Sequence, residues 1–220
     1  MNLLNLHDYT AAQLALYSIG AYLWVVAYVI YVRNGFKYRV VEMPAFAAAG
    51  NIGWELNWAL FFTTDLGALC VYAHKAWFFI DLAIFFLVLR YGWKQTDIPL
   101  LKKYWIPVCL FLFVSSAVFY GTFTKQGFDV GSTIQSAYIC QLPISLLYIP
   151  LMLSRTSLVG YSTWTAWTRT LGTGFIGVFA FMRYPDHPWL LSMAVISTLV
   201  DFLYIYLFTQ RRRLLAAVPA

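Results

Sequence analysis

Charged residues are scarce in this chain of 220 residues, because lysine, arginine, aspartate and glutamate together make up only 11% of it. A typical soluble domain carries about 25% of these residues, so a water-soluble domain of ordinary composition is excluded. Hydrophobic residues make up 61% of the sequence and aromatic residues 20%. This composition predicts an integral membrane protein surrounded by the lipid bilayer.

Cysteine and histidine are also rare, with three of each. An odd number of cysteines placed in apolar segments indicates no disulfide framework. The histidines are far apart in the chain and no HExxH or P-loop string occurs, so no metal site is expected. Residues 172–177 spell GxGxxG, but they follow no strand and lie in an apolar segment. Close helix packing is therefore favoured over dinucleotide binding.

The apolar residues form blocks of about 20 residues, the length that a helix needs to cross a hydrocarbon core of about 30 Å. No repeat or low-complexity linker separates these blocks. We therefore predict an all-α membrane protein in which residues 1–220 form one domain, a single bundle of seven transmembrane helices. The predicted spans are residues 11–31, 44–64, 69–89, 104–120, 132–153, 163–182 and 188–209.

The positions of lysine and arginine indicate the orientation, because basic loops resist translocation. One set of alternate faces carries only Lys125 and Arg183, which is the expected outer side. Since the first ten residues lack the basic start of a cleavable signal peptide, the first span is expected to remain. We expect the N-terminus outside (luminal or periplasmic), the C-terminus in the cytoplasm, and no nucleic-acid partner. The other set of faces carries Arg33, Lys37, Arg39, Arg90, Lys94, Lys102, Lys103, Arg155, Arg211, Arg212 and Arg213.

Three acidic residues, Glu55, Asp81 and Asp201, lie near the middle of a predicted span. An ionised side chain at that depth costs at least about 2.5 to 3.5 kcal/mol, so acids there are usually kept for function. They are candidate functional groups, with Glu55 and Asp201 as the predicted catalytic residues. The remaining acids fall in loops or at membrane edges and are set aside: Asp8, Glu42, Asp65, Asp97, Asp129 and Asp186.

Aromatic side chains accompany the three acids at helical spacing. If the three faces turn toward one another, they line an aromatic cavity with two or three carboxyl groups. Loss of water favours the neutral acid, which can then donate a proton, and aromatic faces stabilise a cation by about 0.5 to 2 kcal/mol each. Such a cavity suits proton-initiated cyclisation of a prenyl chain. The neighbours are Asn51, Trp54 and Trp58 for Glu55, Trp77, Phe78 and Phe85 for Asp81, and Ser197, Thr198, Tyr204 and Ile205 for Asp201.

Structural roles compete with this hypothesis. Glu55 or Asp201 could pair with Arg169 or Lys75 as a link between helices. Asp81 lies close to Lys75 and His74 on its own helix, which could account for it. Trp and Tyr also gather at membrane interfaces, and four residues are assigned to such a belt: Trp24, Tyr104, Trp105 and Trp189.

Other protein classes are also consistent with parts of the sequence. The midplane acids could form the proton relay of a small seven-helix transporter, although no repeat relates Pro107, Pro143 and Pro150 as paired halves would. A structural protein of a membrane complex is a third hypothesis, for which three midplane acids would be unneeded. A seven-span photoreceptor is excluded because the last predicted span contains no lysine for a retinal.

Several segments resemble the integral-membrane terpene cyclases of fungal meroterpenoid pathways, the family of the pyripyropene and paxilline cyclases. Residues 43–44 and 51–55 (MP and NIGWE) are similar to the MP...NIAWE signature of that family. Residues 140–142, the segment of residues 157–172 that contains Trp167, Arg169, Leu171 and Gly172, and residues 200–204 agree in the same order. Glycine at position 53, where the family often has alanine, is a departure.

The resemblance implies a hydrophobic substrate in which a prenyl or epoxyprenyl chain is joined to an aromatic or indole head. An upstream prenyltransferase and epoxidase would supply it. Glu55 and Asp201 match the family's two acids, which are thought to protonate the substrate and support cyclisation. The metal-binding, aspartate-rich segment and the DxDD string of soluble terpene cyclases do not occur, so neither a metal nor a redox cofactor is expected. The predicted substrate-binding residues are Asn51, Trp54, Trp58, Trp77, Asp81, Arg169 and Tyr204.

Overall fold

A computed structural model describes residues 2–217, and every regular element in this part of the chain is a helix. The predicted all-α class is therefore confirmed. A π-helical turn (Asn57–Phe61) continues the second helix and a 3-10 turn (Gly92–Gln95) continues the third. The α-helices are α1 (Ala11–Tyr38), α2 (Ala45–Leu56), α3 (Ala68–Tyr91), α4 (Pro99–Lys103), α5 (Trp105–Lys125), α6 (Ile134–Leu153), α7 (Thr163–Arg183) and α8 (Pro188–Ala217).

Side-chain caps fix where α1 and α7 begin. Thr10 Oγ1 accepts a hydrogen bond from the Gln13 N–H at 3.2 Å, and Gln13 Oε1 accepts one from the Thr10 N–H at 2.9 Å. This reciprocal pair is a capping box, which satisfies two backbone donors at the helix start. Ser162 caps α7 by accepting a hydrogen bond from the Trp164 N–H. At its other end α1 stops at Arg39, whose backbone is left-handed with φ of 54°.

Five of the predicted spans coincide with helices that are long and apolar enough to cross a membrane. The second and sixth predicted spans correspond to α2 and α7, which do not meet this requirement of length and hydropathy. These two spans stay predictions. Helix α2 has 12 residues, about 18 Å of helix, which is shorter than a hydrocarbon core even with its π-helical turn. Helix α7 is less apolar because it buries Arg169 and several threonines in the bundle. The five helices are Ala11–Tyr38, Ala68–Gln95, Trp105–Lys125, Ile134–Leu153 and Pro188–Ala216.

The helices pack in a connected set: α1 lies along α7, α2 lies against α5 and α3, and α8 lies against α6 and α7. Glycine allows α1 and α7 to cross closely. A Cβ on Gly20 would lie 2.7 Å from the carbonyl oxygen of Gly172, and a Cβ on Gly172 would lie 2.7 Å from Trp24 Cδ1. Helix packing is thus confirmed for Gly172. It is wrong for Gly174, where a Cβ would meet no atom within 4 Å.

Polarity is distributed as in a membrane protein. Large apolar side chains such as Phe79, Phe111 and Leu199 are more than 60% exposed on the outside of the bundle. Arg169 and Asp201, by contrast, are 0% exposed in its interior. Ionisable groups inside a bundle of apolar helices mark a functional interior.

Candidate active site

An aromatic cavity lies inside the bundle between α1, α2, α3, α6 and α7. Glu55 is the acidic residue of its wall, and the polar residues Asn51, Gln141 and Thr173 complete the lining with aliphatic side chains. Helix α2 therefore places a carboxyl group against apolar rings, as a proton donor for a hydrophobic guest requires. The aromatic residues of the wall are Tyr17, Trp24, Tyr28, Trp54, Trp77 and Tyr138.

Glu55 meets His74 of α3 behind the cavity wall. Glu55 Oε2 lies 3.6 Å from His74 Nδ1, and the two side chains are 3% and 1% exposed. Three indoles surround the imidazole. The ring centroids of Trp54, Trp58 and Trp77 lie 5.5, 6.2 and 5.4 Å from the imidazole centroid. Acid and imidazole thus share one nearly dry compartment.

Asp81 is held by an amide instead of forming part of the cavity wall. Asp81 Oδ2 accepts a hydrogen bond from Asn51 Nδ2 at 2.5 Å. The same amide nitrogen donates to the Tyr28 hydroxyl at 2.9 Å, and Asn51 Oδ1 accepts from the Cys140 thiol at 3.3 Å. This network joins α1, α2, α3 and α6 through Asn51. Of the predicted residues, Asn51 contacts the cavity and Asp81 lies behind it.

The suggested pairing of Asp81 with His74 or Lys75 is wrong. The imidazole of His74 faces Glu55, and Lys75 is exposed and lies over the ring of Tyr72 at 5.8 Å. His74 and Asp81, seven positions apart on α3, contact different residues of α2. His74 lies beside Glu55, and Asp81 accepts a hydrogen bond from Asn51.

Trp54 and Trp58 are held in place by a residue near the start of α6. The indole N–H groups of Trp54 and Trp58 donate to Ser136 Oγ at 2.7 and 3.4 Å. Ser136 in turn donates to Asp129, which also accepts from the backbone N–H of Val130 at 2.9 Å. Asp129, set aside as a loop acid, therefore helps to orient two predicted site residues. Trp54 lines the cavity, whereas Trp58 is buried beside His74.

A second buried cluster surrounds Arg169 of α7. Arg169 Nη2 lies 3.1 Å from Asp201 Oδ1, and both side chains are 0% exposed. The guanidinium lies over the ring of Tyr148 at 3.8 Å and over that of Tyr204 at 4.8 Å. The Tyr148 hydroxyl also donates to the Tyr31 hydroxyl at 2.6 Å. The ion pair is close in distance but not aligned as a hydrogen bond, since neither the Arg169 guanidinium nor the Asp201 carboxylate has a hydrogen-bond partner in the described part of the chain.

The structure does not place Asp201 on the wall of the cavity that Glu55 lines, so the expectation that the two acids share one chamber stays a prediction. Asp201 belongs to α8, which packs against α6 and α7, whereas Glu55 belongs to α2. Among the described residues that line the cavity, Asp201, Arg169 and Tyr204 do not appear. Asp201 instead lies 3.1 Å from Arg169, the contact on which the competing structural hypothesis rests.

Two of the four residues assigned to an interfacial belt lie in the interior. Trp24 is 8% exposed and lines the cavity. Trp105 is 4% exposed and its indole donates to the Val88 carbonyl at 2.9 Å. Tyr104 and Trp189 are exposed, as a belt requires. A signal for Trp24 existed in the sequence, because it lies seven and four residues from Tyr17 and Tyr28 on one face of α1.

Glu42, also set aside as an edge acid, is 4% exposed in the segment between α1 and α2. Glu42 Oε1 accepts hydrogen bonds from Thr165 Oγ1 at 2.6 Å and from the Ser162 N–H at 3.3 Å. Burial raises the pKa of Glu42 to about 8, although these hydrogen bonds act in the opposite direction. A single glutamate before a Pro gives no sequence signal for such burial.

The fold and the cavity define a helical membrane protein that keeps a carboxyl group among aromatic rings, away from water. Among residues 2–217, no group of three or more His, Cys, Asp or Glu side chains is placed to hold a metal ion. The family profile of Pyr4-like transmembrane terpene cyclases matches residues 4–214, and the chain belongs to this family. It is thus a multi-pass membrane enzyme of the terpene cyclase class, from a family of meroterpenoid biosynthesis.

Curated relatives agree with this assignment. The chain is similar to the terpene cyclase macJ of Penicillium terrestre, with 28% identity over 183 residues that cover 78% of this chain and 67% of the relative. It is 25% identical to the Pyr4-family terpene cyclase mfmH of Annulohypoxylon moriforme, over 82% of this chain and 74% of the relative. It is 28% identical to the terpene cyclase idtB of Claviceps paspali, over 82% and 77% of the two chains. No solved structure gives a significant match. These relatives favour the enzyme over the transporter hypothesis.

Proposed function

We propose that this protein cyclises the prenyl or epoxyprenyl chain of a meroterpenoid-type substrate by proton-initiated, metal-independent chemistry, with Glu55 as the proton donor. The observation that carries the proposal is the position of Glu55, a buried carboxyl group in a cavity whose other walls are largely aromatic. In such a site desolvation favours the neutral acid, the form able to donate a proton.

The proposed reaction is a balanced isomerisation. The Glu55 O–H proton passes to an epoxide oxygen, whose C–O bond opens to give a hydroxyl group and a tertiary cation, or to an alkene carbon, which gives the cation directly. Alkene π electrons then close each ring, and a base removes one proton from the last cation. The rings of Trp54, Trp77 and Tyr28 stabilise the cations in passing. Asn51 orients the wall, and Trp58 and Asp81 support it from behind.

Asp201, Arg169 and Tyr204 enter the proposal as a supporting cluster. Their ion pair and ring contacts fix α7 against α8, next to the cavity wall that α7 supplies through Thr173 and Ile176. Asp201 is therefore proposed to act through Arg169 and the position of α7.

The remaining features of the proposal concern the membrane and the supply of substrate. We propose seven spans, including the short α2 and the polar α7, with the N-terminus outside and the C-terminus in the cytoplasm. This orientation is supported by the cytoplasmic excess of basic loops. The substrate arrives through the bilayer after prenylation, and after epoxidation where it carries an epoxide, by upstream enzymes.

The test is turnover of a panel of prenylated aromatic compounds, with and without a terminal epoxide, by the purified protein in detergent. Because the product is an isomer, it is identified by retention time and NMR rather than by mass. Glu55→Gln is expected to abolish turnover, while Glu42→Gln, the same change at a buried acid outside the cavity, retains it. Full activity of Glu55→Gln would eliminate the proposed proton donor.

Repeating the reaction in D₂O distinguishes the two proton acceptors. Protonation of an alkene carbon places one non-exchangeable deuterium in the product, so the product mass rises by one unit. Protonation of an epoxide leaves deuterium only on a hydroxyl group, where it washes out. The two substrate classes thus give different isotope patterns for the same enzyme.

A further inference from the structure

His74 is placed to assist Glu55 although it does not line the cavity. Its side chain is 1% exposed, and both ring nitrogens lack a hydrogen-bond partner among the described residues. A buried imidazole without a hydrogen-bond partner destabilises the fold, because its polar atoms lose their interaction with water. Such a group in a native structure therefore points to a function.

Glu55 is the unpartnered neighbour of His74 that can accept a hydrogen bond, since the other unpartnered group beside the imidazole, Trp77 Nε1, is a donor. The indole N–H groups of Trp54 and Trp58 are both directed at Ser136, so these rings present faces and edges to the imidazole. Glu55 Oε2 is also unpartnered and buried, 3.6 Å from His74 Nδ1. Since Glu55 lines the cavity, its Oε1 is left as the oxygen on the substrate side.

We propose that His74 is a positioning residue whose Nδ1–H donates a hydrogen bond to Glu55 Oε2 as Glu55 gives up its proton. This inference rests on the proposed function, in which the carboxylate forms in a nearly dry site. The gap of 3.6 Å is too long for a hydrogen bond to the neutral acid. It closes by less than 1 Å when the carboxylate forms, as hydrogen bonds in catalytic sites often do. No proton is transferred between the two side chains, and His74 remains neutral with its hydrogen on Nδ1.

The role is selective for the charged state of Glu55. A donor that bonds the carboxylate but not the neutral acid lowers the barrier without tightening substrate binding, and donors of this kind contribute about 100-fold to 1,000-fold in rate. The three indoles hold the imidazole in position, so only the short movement that closes the gap to Glu55 is needed when the charge develops.

Three substitutions of His74 separate positioning from simple filling of space. In His74→Asn the amide nitrogen is attached to Cγ, as Nδ1 is, so it retains the donor. In His74→Gln the amide lies one atom further out, at the position of Nε2. His74→Phe keeps an aromatic ring between the indoles but has no donor.

The experiment measures kcat, KM and the thermal midpoint of unfolding for the three variants in detergent. We expect His74→Phe to lower kcat by roughly 100-fold with little change in KM, His74→Gln to behave similarly, and His74→Asn to stay within about tenfold of the wild type. A role in packing alone predicts the opposite order, with Phe the most active and Asn the least, and that order would overturn the inference.

Infrared spectroscopy gives a second measurement that does not depend on turnover. The band of the Glu55 carboxylate, identified by its loss in Glu55→Gln, is expected at a different frequency in His74→Phe than in the wild type and His74→Asn when the pH is raised to ionise it. An unchanged band in His74→Phe contradicts the inference. If the wild-type protein turns over no substrate, the proposed function fails; if it does and His74→Phe matches it, only the role of His74 fails.

Discussion

Arg169 is the most confined cation in the described part of the bundle, enclosed by two tyrosine rings and one carboxylate. Its guanidinium has 0% exposure and lies 3.8 Å from the ring of Tyr148. A buried ion pair is weak evidence for stability by itself, but removing one partner leaves an uncompensated charge. The energetic importance of Asp201 therefore lies in what its absence would do to Arg169.

Asp201→Asn is predicted to destabilise the protein by about 3 to 5 kcal/mol, because Arg169 would remain buried without a counter-charge. The double variant Arg169→Met, Asp201→Asn should recover most of this loss, since neither charge then remains. Thermal unfolding in detergent of both single variants and the double variant measures the coupling. If Asp201→Asn instead keeps wild-type stability and loses turnover, Asp201 acts directly in the reaction.

Individual site residues were predictable where one helix decides their position. The spacing of Asn51, Trp54 and Glu55 on α2 puts them on one face, and the structure places all three on the cavity wall. The partnership of Glu55 with His74 could not be predicted in this way. It depends on the rotation of α3 relative to α2, which helical spacing within one segment does not determine.

At the scale of elements, α2 is the helix whose form differs most from its prediction. It ends after 12 residues and gives way to a π-helical turn, in which Asn57 Nδ2 donates to the carbonyls of Gly53 and Ala117 at 2.8 and 2.9 Å. Hydropathy marks an apolar block but not such a change of helical pitch. The starts of the long helices agree better, because caps such as Thr10 are local features, whereas α1 continues to Tyr38, past its predicted end at residue 31.

Gly53 shows how closely α2 and α5 approach. A Cβ at position 53 would overlap Ser116 Oγ and lie 2.7 Å from the backbone nitrogen of Ala117. The alanine that the family often carries is therefore excluded here unless α5 moves. The departure noticed in the NIGWE string thus has a steric cause.

Gly53→Ala is predicted to cost about 1 to 3 kcal/mol of stability through overpacking. The matched control is Gly50→Ala on the same helix, where a Cβ meets no atom within 4 Å. That change should be neutral or stabilising, by up to about 1 kcal/mol, since alanine is the better helix former. The thermal midpoints of the two variants decide; equal effects would show that α5 gives way freely.

At the scale of the whole molecule, the fold separates the cavity lined by Glu55 from the polar contacts of Glu42. The cavity is built by α1, α2, α3, α6 and α7, while Glu42 ties the segment before α2 to the start of α7. The all-α class and five spans could be predicted because burial in lipid demands long apolar helices. The arrangement of helices around the cavity could not, because contacts between distant helices leave no periodic signal.

Glu42 makes the stability of the whole protein depend on pH. Its folded-state pKa of about 8 exceeds the ordinary value of 4.5, so the folded protein binds the proton more tightly than the unfolded chain does. The contribution of Glu42 to stability is therefore greatest below about pH 4.5 and falls as the pH rises to about 8, by at most about 1.4 kcal/mol per pH unit.

Glu42→Gln should remove this dependence, giving a smaller fall in thermal midpoint between pH 5 and pH 8 (about the range set by the two pKa values). Asp97→Asn is the control, because Asp97 is fully exposed and should leave the slope unchanged. The same slope in Glu42→Gln as in the wild type would contradict the assignment.

The amide of Asn51 has a consequence for what the cavity accepts. The amide donates one hydrogen bond to Asp81 and one to the Tyr28 oxygen. The Tyr28 oxygen therefore already accepts a hydrogen bond, and its own O–H can act as a donor. A substrate at that wall therefore meets the Tyr28 hydroxyl as a hydrogen-bond donor. Ethers, epoxides and carbonyls can accept that hydrogen, whereas a substrate that brings only an N–H or O–H hydrogen to the same point is left with the second lone pair of the phenol oxygen.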